Sequence, residues 1–221
     1  AGGYVSLDVI GDAKATFITS AGSASFLTYN LPVFEMPMGC SLALPDPAPT
    51  PLAMRRVNAG PSVTLADGTT TIVLTNDGAQ DYSAYAPGGS VPEDSDWDLT
   101  VTGTGELRAQ TIRRALHVPS RIHLPPTIDS IPASGPFRLG WNAAGADFVV
   151  IMFGTTASGP ACRVADTGGF DLPADIVAAI PAGNGTIAFH AVSLRERLVG
   201  SRSVEFVGTT LNFRGYTKPV P

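Results

Sequence analysis

An acidic segment near residue 96 is the clearest candidate for chemistry. Asp94, Asp96 and Asp98 stand at alternate positions, and hard carboxylate oxygens in that pattern are the ligands that calcium prefers. An EF-hand loop counted from Asp94 is excluded, because it would need glycine where Leu99 stands and a bidentate acid where Gly105 stands. Two interpretations remain: a looser calcium site between strands, or a solvated acidic turn.

Aromatic residues bracket the same segment. Tyr82 and Tyr85 precede it and Trp97 lies within it. Flat exposed rings beside polar groups can stack on sugar rings, so the three residues are a candidate glycan-binding surface. The alternative is that at least two of the three pack in the core, because large aromatic side chains are usually buried there.

Other catalytic patterns are weak. Residues 166–168 read Asp-Thr-Gly, the tripeptide of aspartic peptidases, in which two carboxylates share a proton. The chain holds one copy, so we expect a compact turn before Phe170 instead. His117, His123 and His190 lack the spacing of zinc ligands, and no GxSxG, HExxH or phosphate-binding loop is present. The sequence therefore predicts a protein that is not an enzyme and has no cofactor other than the candidate calcium.

The two cysteines, Cys40 and Cys162, are 122 positions apart. This separation excludes a CxxC redox or zinc pair. In an oxidising compartment they would form an intramolecular disulfide, which closes a loop worth roughly 4 to 5 kcal/mol on the chain-entropy estimate. Two separate buried thiols, or a bridge between molecules, are the alternatives.

Composition excludes several functions. The net charge is −5 and the densest groups of arginines are isolated pairs, so the chain lacks the basic stripe that nucleic-acid binding needs. The longest strongly apolar run, residues 148–153, is far short of the ~20 residues of a transmembrane helix. The chain begins Ala-Gly-Gly, as a secreted protein does after removal of its signal peptide, although a truncated chain would begin in the same way. We expect a secreted or cell-surface protein.

The first strand predicted from the pattern is a candidate for strand addition. Residues 4–9 alternate strictly, with Val5, Leu7 and Val9 on one face, as in a half-buried strand. An amphipathic strand beside a Gly-rich start could complete the sheet of a neighbouring molecule. Further copies of the chain or other surface proteins are therefore the predicted partners, and a glycan is a further candidate.

Strand patterns recur along the rest of the chain. The pair Asp67-Gly68 predicts a hairpin, and the abundant glycine and proline, 24 and 19 residues, are typical of a turn-rich fold. Residues 173–180 form the one predicted helix, with Pro173 at its start and Pro181 after it. A linker is predicted at 117–126, where three prolines occur.

These patterns predict an all-β fold with two β-sandwich domains in tandem, one short helix lying in the second. The predicted ranges are 1–125 and 126–214, followed by a C-terminal tail at 215–221. The second domain has strands at the 8 to 12 residue spacing of such sandwiches.

Residues 127–207 resemble an immunoglobulin-like or fibronectin type III-like module. The resemblance depends on Gly-Trp-Asn at 140–142, Asp-Phe-Val-Val-Ile at 147–151 and the stretch 162–173. It implies an immunoglobulin-like sandwich, and we expect Trp141 in its core. The whole chain resembles two-module surface proteins and lipoproteins of GC-rich Gram-negative bacteria. The module lacks a second cysteine, so the resemblance implies no disulfide within the sandwich.

The sequence thus predicts an extracellular, non-enzymatic structural or adhesive surface protein, with assembly into a fibre by strand addition as its sharper form. The alternative is a carbohydrate-dependent or calcium-dependent binding module built on the aromatic and acidic residues named above.

Overall fold

The structure is a computed structural model. It describes residues 2–8, 12–19, 36–42, 55–56, 58–76, 81–85, 91–104, 107–125, 130–154, 159–199 and 202–220.

Nearly all regular structure in the described residues is β. The chain order is β1 (Gly2–Asp8), β2 (Asp12–Thr19), β3 (Gly39–Ser41), β4 (Arg55–Arg56), β5 (Ser62–Ala66), β6 (Thr71–Asn76), β7 (Asp81–Tyr85), β8 (Ser95–Val101), β9 (Gln110–Val118), β10 (Phe137–Gly140), β11 (Phe148–Phe153), β12 (Ala161–Val164), β13 (Gly169–Leu172), α1 (Ala174–Ala179), β14 (Gly183–Val199) and β15 (Arg202–Lys218). The predicted all-β class with one short helix is confirmed.

The chain forms two compact units that are not contiguous in sequence. Unit 1 contains residues 1–26, 49–119 and 193–210, and unit 2 contains 27–48, 120–192 and 211–221. The boundary between the units at 119/120 lies within the predicted linker. The residues that make up each unit differ from the predicted ranges 1–125 and 126–214. The reason is strand pairing: β3 pairs with β12, and β14 and β15 each have residues in both units.

In unit 1 the strands follow the order β15-β1-β2-β7-β6-β5-β8-β9. The hairpin predicted at Asp67-Gly68 joins β5 to β6, and the Asp67 carboxylate accepts the backbone N–H groups of Thr69 and Thr70. Alternation along β5, β6 and β8 sends apolar side chains to one buried face. The largest of them are Leu65, Leu74, Trp97 and Leu99, and Tyr82 from β7 and Phe206 from β15 belong to the same core.

Unit 2 has two sheets. One contains β3-β12-β11-β14 in that order, and the other pairs β10 with β13. Side chains from both sheets and from α1 form one apolar core, so this unit is sandwich-like. Trp141 is buried in that core, as predicted.

The helix predicted at 173–180 is confirmed as α1. Pro173 occupies its N-cap position, and Ile176 and Val177 are buried. At the other end the ammonium of Lys218, only 2% exposed, donates to the carbonyls of Val177, Ala178 and Ile180 at 2.8, 3.2 and 2.7 Å. A helix leaves its last carbonyls without internal partners and favours a cation there, so Lys218 satisfies both requirements.

Residues 215–218 do not form the predicted tail, because β15 continues to Lys218. Tyr216 is buried and donates its hydroxyl to the Pro181 carbonyl at 3.3 Å, and its ring lies where a Cβ at Gly185 would be. The proline-rich ending made the segment look irregular, whereas its buried residues alternate as in a strand.

Candidate functional site

The carboxylates of the acidic segment contact basic residues. Asp96 Oδ2 accepts a hydrogen bond from Arg114 Nε at 2.8 Å and lies 2.6 Å from Arg114 Nη2. Asp96 Oδ1 lies 2.9 Å from Arg195 Nη1 and 3.1 Å from His117 Nδ1. Asp98 accepts the backbone N–H of Arg114 at 2.7 Å. We call Asp96, Asp98, Arg114, His117 and Arg195 the Asp96 cluster.

A β-bulge positions this cluster. The register of β8 against β9 shifts between Trp97 and Leu99, and Arg114 has a φ of 48°. The left-handed region is uncommon for residues other than glycine, and here it accompanies the bond from the Arg114 N–H to Asp98. Arg195 reaches the cluster from β14 and also donates to the Arg114 carbonyl at 3.1 Å. The cluster therefore connects three strands of unit 1.

The charged side chains of the Asp96 cluster pair with one another within the chain. Burial by itself raises the pKa of Asp96, but hydrogen bonds and positive charge from Arg114 and Arg195 outweigh burial and lower that pKa. The carboxylate is thus ionised and neutralised by the protein's own guanidinium groups. These ion pairs connect β8 to β9 and to β14.

The calcium site predicted at Asp94, Asp96 and Asp98 stays a prediction. The three carboxylates have different partners: Asp94 lies 3.8 Å from His117 Nε2, Asp96 contacts the two arginine side chains, and Asp98 accepts the backbone N–H of Arg114. Within the described ranges, no group of three or more His, Cys, Asp or Glu side chains is arranged to hold a metal ion. The sequence could not show the pairing of Asp96 with Arg195, because the two residues are remote from each other along the chain.

Two of the three predicted glycan-binding aromatics are in the core, so the prediction of an exposed platform is wrong for them. Tyr82 is 1% exposed and Trp97 is fully buried. The Tyr82 hydroxyl donates to the Gly60 carbonyl and accepts the Ala59 N–H, both at 2.8 Å, and Trp97 Nε1 donates to Ser95 Oγ at 2.8 Å. The side chain of Tyr85 lies outside the described residues.

Asp166 has a structural role. Its carboxylate accepts hydrogen bonds from Trp141 Nε1 at 2.9 Å, the Ala144 N–H at 2.7 Å and the Ala146 N–H at 3.0 Å. Gly168 follows with a φ of 83°, which a glycine adopts without strain. The expected turn is therefore present at 166–168, and the carboxylate holds the loop after β10.

The disulfide between Cys40 and Cys162 is present, so the intramolecular interpretation is confirmed. The two residues are directly opposite each other in the antiparallel pair β3–β12, and both belong to unit 2. The bridge therefore holds β3 to β12, a strand from the second half of the chain.

The candidate for strand addition is an inner strand of unit 1. β1 pairs in parallel with β15 and antiparallel with β2, so Val5 lies opposite both Phe206 and Ala15. Leu7 lies in the same strand, and Val9 falls outside the described residues. Strand alternation correctly indicated a strand here, but it could not show that both of its edges are paired.

A surface that the sequence did not indicate lies beside β3. Met38 and Leu42 flank this strand and are exposed, at 57% and 56%. Met38 also lines a shallow cavity of about 350 Å³ together with Arg163 and Phe170. The guanidinium of Arg163 lies 4.0 Å from the ring centre of Phe148 and donates to the Met36 carbonyl at 2.9 Å.

Comparisons with known proteins give little. The chain matches no protein-family profile and no curated protein. One similar solved structure is described as a Ca²⁺-stabilized adhesin that helps an Antarctic bacterium reach out and bind ice. The match has 15% identity and a TM-score of 0.23, and it covers 99% of this chain and 49% of the other, so this chain spans about half of that length. Similarity this low supports no functional argument. Over the described residues, no helix has the length and apolar character to cross a membrane.

Proposed function

We propose that this chain is an extracellular, non-enzymatic structural or adhesive protein of a cell surface. The observation that carries the proposal is the Cys40–Cys162 disulfide in a chain whose described structure is nearly all β. Disulfides form and persist in oxidising environments outside the cytosol, and rigid sandwich-like units are suited to present surfaces at a distance from a cell.

The use of polar groups supports a structural role. Polar side chains in both units hold the fold together: Asp96 connects strands, Asp166 holds a loop, Tyr82 joins loop and sheet, and Lys218 caps α1. Buried polar groups whose hydrogen bonds are satisfied add rigidity. Rigidity is what a scaffold requires.

The sharper form of the proposal is a fibre assembled by strand exchange. For residues 1–10 to enter a neighbour, β1 must leave its place between β15 and β2, and the neighbour's β1 must replace it. The exchanged strand makes the same main-chain and side-chain contacts, so the protein concentration decides which form prevails.

The cellular role is tested with a deletion strain of the source organism. We expect loss of the gene to reduce attachment to surfaces or to other cells, and the protein to be found outside the cytosol with neither cysteine open to alkylation. A Cys40→Ser, Cys162→Ser double variant should accumulate poorly outside the cell. Reduced protein confined to the cytosol, or unchanged attachment, would contradict the proposal.

Fibre assembly is tested by electron microscopy of the full chain and of a variant lacking residues 1–10. We expect filaments from the full chain only, and recovery of thermal stability when a peptide of residues 1–10 is added to the shortened chain. Dispersed particles from the full chain at every concentration, or filaments from both proteins, would refute strand exchange.

A further inference from the structure

One asparagine of the chain stands in an acceptor sequence for N-linked sugars. Residues 184–186 read Asn-Gly-Thr, and none of the other asparagines has serine or threonine two positions later. An Asn-Gly pair is also typical of turns. The two interpretations differ in the backbone conformation and the surroundings that they require of Asn184.

The turn before β14 does not depend on Asn184. β14 begins at Gly183, and Gly183 has the left-handed backbone there, with a φ of 91°. A glycine adopts this conformation without strain. Asn184 has no positive φ, so the turn interpretation gives the asparagine no role.

Asn184 and Thr186 lie on the outer face of β14. A Cβ at Gly185 would meet the ring of Tyr216, and Tyr216 belongs to the core of unit 2. Successive side chains of a strand point to opposite faces, so the residues on either side of Gly185 point away from that core. Asn184 is exposed and Thr186 is half-buried. The acceptor sequence tolerates the glycine between them, since it excludes only proline at this position.

The amide nitrogen of Asn184 is available for modification. Asn184 Oδ1 accepts a hydrogen bond from Thr217 Oγ1 at 3.0 Å, and this pair is exposed. Among the described residues, no hydrogen-bond partner is found for Asn184 Nδ2. A sugar attached to that nitrogen would extend into solvent, and no hydrogen bond donated by the amide would be lost.

We propose that Asn184 is a site of N-linked glycosylation, an inference that rests on the proposed location of the chain outside the cytosol. The donor is a sugar diphosphate carried on a membrane lipid. Asn184 Nδ2 forms a bond to the anomeric carbon of the sugar, and the amide loses one proton. The bond from that carbon to the phosphate oxygen breaks, and its electron pair leaves with the lipid diphosphate. A glycan is bulky and solubilising, so it would keep this surface of unit 2 hydrated.

Mass spectrometry of the protein recovered from outside the cytosol of its source organism tests the proposal. We expect added sugar mass, located at Asn184 by fragmentation of the peptide. Asn184→Gln and Thr186→Val should remove the added mass completely, because each destroys the acceptor sequence. Thr186→Ser should keep it, because serine also supplies the hydroxyl that the acceptor sequence needs.

The matched control is Asn142→Gln, which changes another exposed asparagine of unit 2 outside any acceptor sequence. This variant should carry the same added mass as the parent protein. Added mass that persists in Asn184→Gln or in Thr186→Val, or that is lost in Thr186→Ser, would overturn the proposal. Unchanged circular dichroism spectra establish that the variants are folded.

The location of the protein separates failure of this inference from failure of the proposed function. Protein outside the cytosol at its unmodified mass would overturn glycosylation and leave the extracellular role standing. Protein confined to the cytosol would overturn both. The chain produced in the cytosol without an export leader should keep its unmodified mass, and sugar on that form would overturn the lipid-linked donor.

Discussion

His190 should make the stability of unit 2 depend on pH between about 6.5 and 4. It lies on β14 opposite Val150, and burial lowers the pKa of its imidazole from 6.5 to about 4. Below pH 6.5 the unfolded chain therefore binds a proton that the folded chain does not, and the free energy of unfolding falls. Each pH unit of difference is worth about 1.4 kcal/mol, so the full loss by pH 4 is about 3 kcal/mol.

The assay is urea denaturation of the full chain at pH 7.0, 5.5 and 4.5, compared with His190→Gln. The variant has no titrating ring at this position, so its stability should fall by about 2 to 3 kcal/mol less than that of the parent over this range. His123→Gln, which removes a histidine at an exposed position, should keep the dependence of the parent protein. The reasoning is refuted if His190 titrates near pH 6.5 in the folded protein by NMR, or if parent and His190→Gln lose stability equally.

Four further predictions follow from the hydrogen bonds, ion pairs and disulfide described above. Tyr82→Phe leaves the Ala59 N–H and the Gly60 carbonyl without the hydroxyl, so unit 1 should lose about 1 to 3 kcal/mol in denaturant titrations. Lys218→Met removes the cation from three carbonyls and should destabilise unit 2 by a similar amount, seen as lost amide protection in α1. The double variant Cys40→Ser, Cys162→Ser should unfold at a lower denaturant midpoint. Its loss in free energy of unfolding has an upper limit of roughly 4 to 5 kcal/mol from loop closure. The pKa of Asp96 is lowered in the folded protein, so its carboxylate stabilises the protein above about pH 4. This stability is lost as the pH falls through the lowered pKa. The variant Asp96→Asn should therefore lose less stability in acid than the parent protein, as measured by pH-jump unfolding.

Local patterns predicted the elements well. Alternation identified β1, Asp67-Gly68 identified the β5–β6 hairpin, and prolines on either side identified α1. These features depend on a few neighbouring residues, because side-chain direction, turn conformation and helix ends are local properties. Where partners are distant in sequence, the same patterns left several outcomes open.

The candidate sites show this limit. Asp94, Asp96 and Asp98 have a calcium-like spacing, yet guanidinium groups from β9 and β14 neutralise Asp96. Tyr82 and Trp97 bracket a loop, yet both point into the core of unit 1. Spacing records which groups are close along the chain, whereas a site depends on which groups the fold brings to them.

By itself the amino-acid sequence determined that this protein is β-rich, turn-rich, acidic and able to form one long-range disulfide. The tertiary structure alone decided that β1 is an inner strand, that β3 pairs with a strand from the second half of the chain, and that Lys218 caps α1. The physical reason is that these outcomes arise from pairing between distant strands, which is governed by the burial of whole faces and not by the preferences of any single segment.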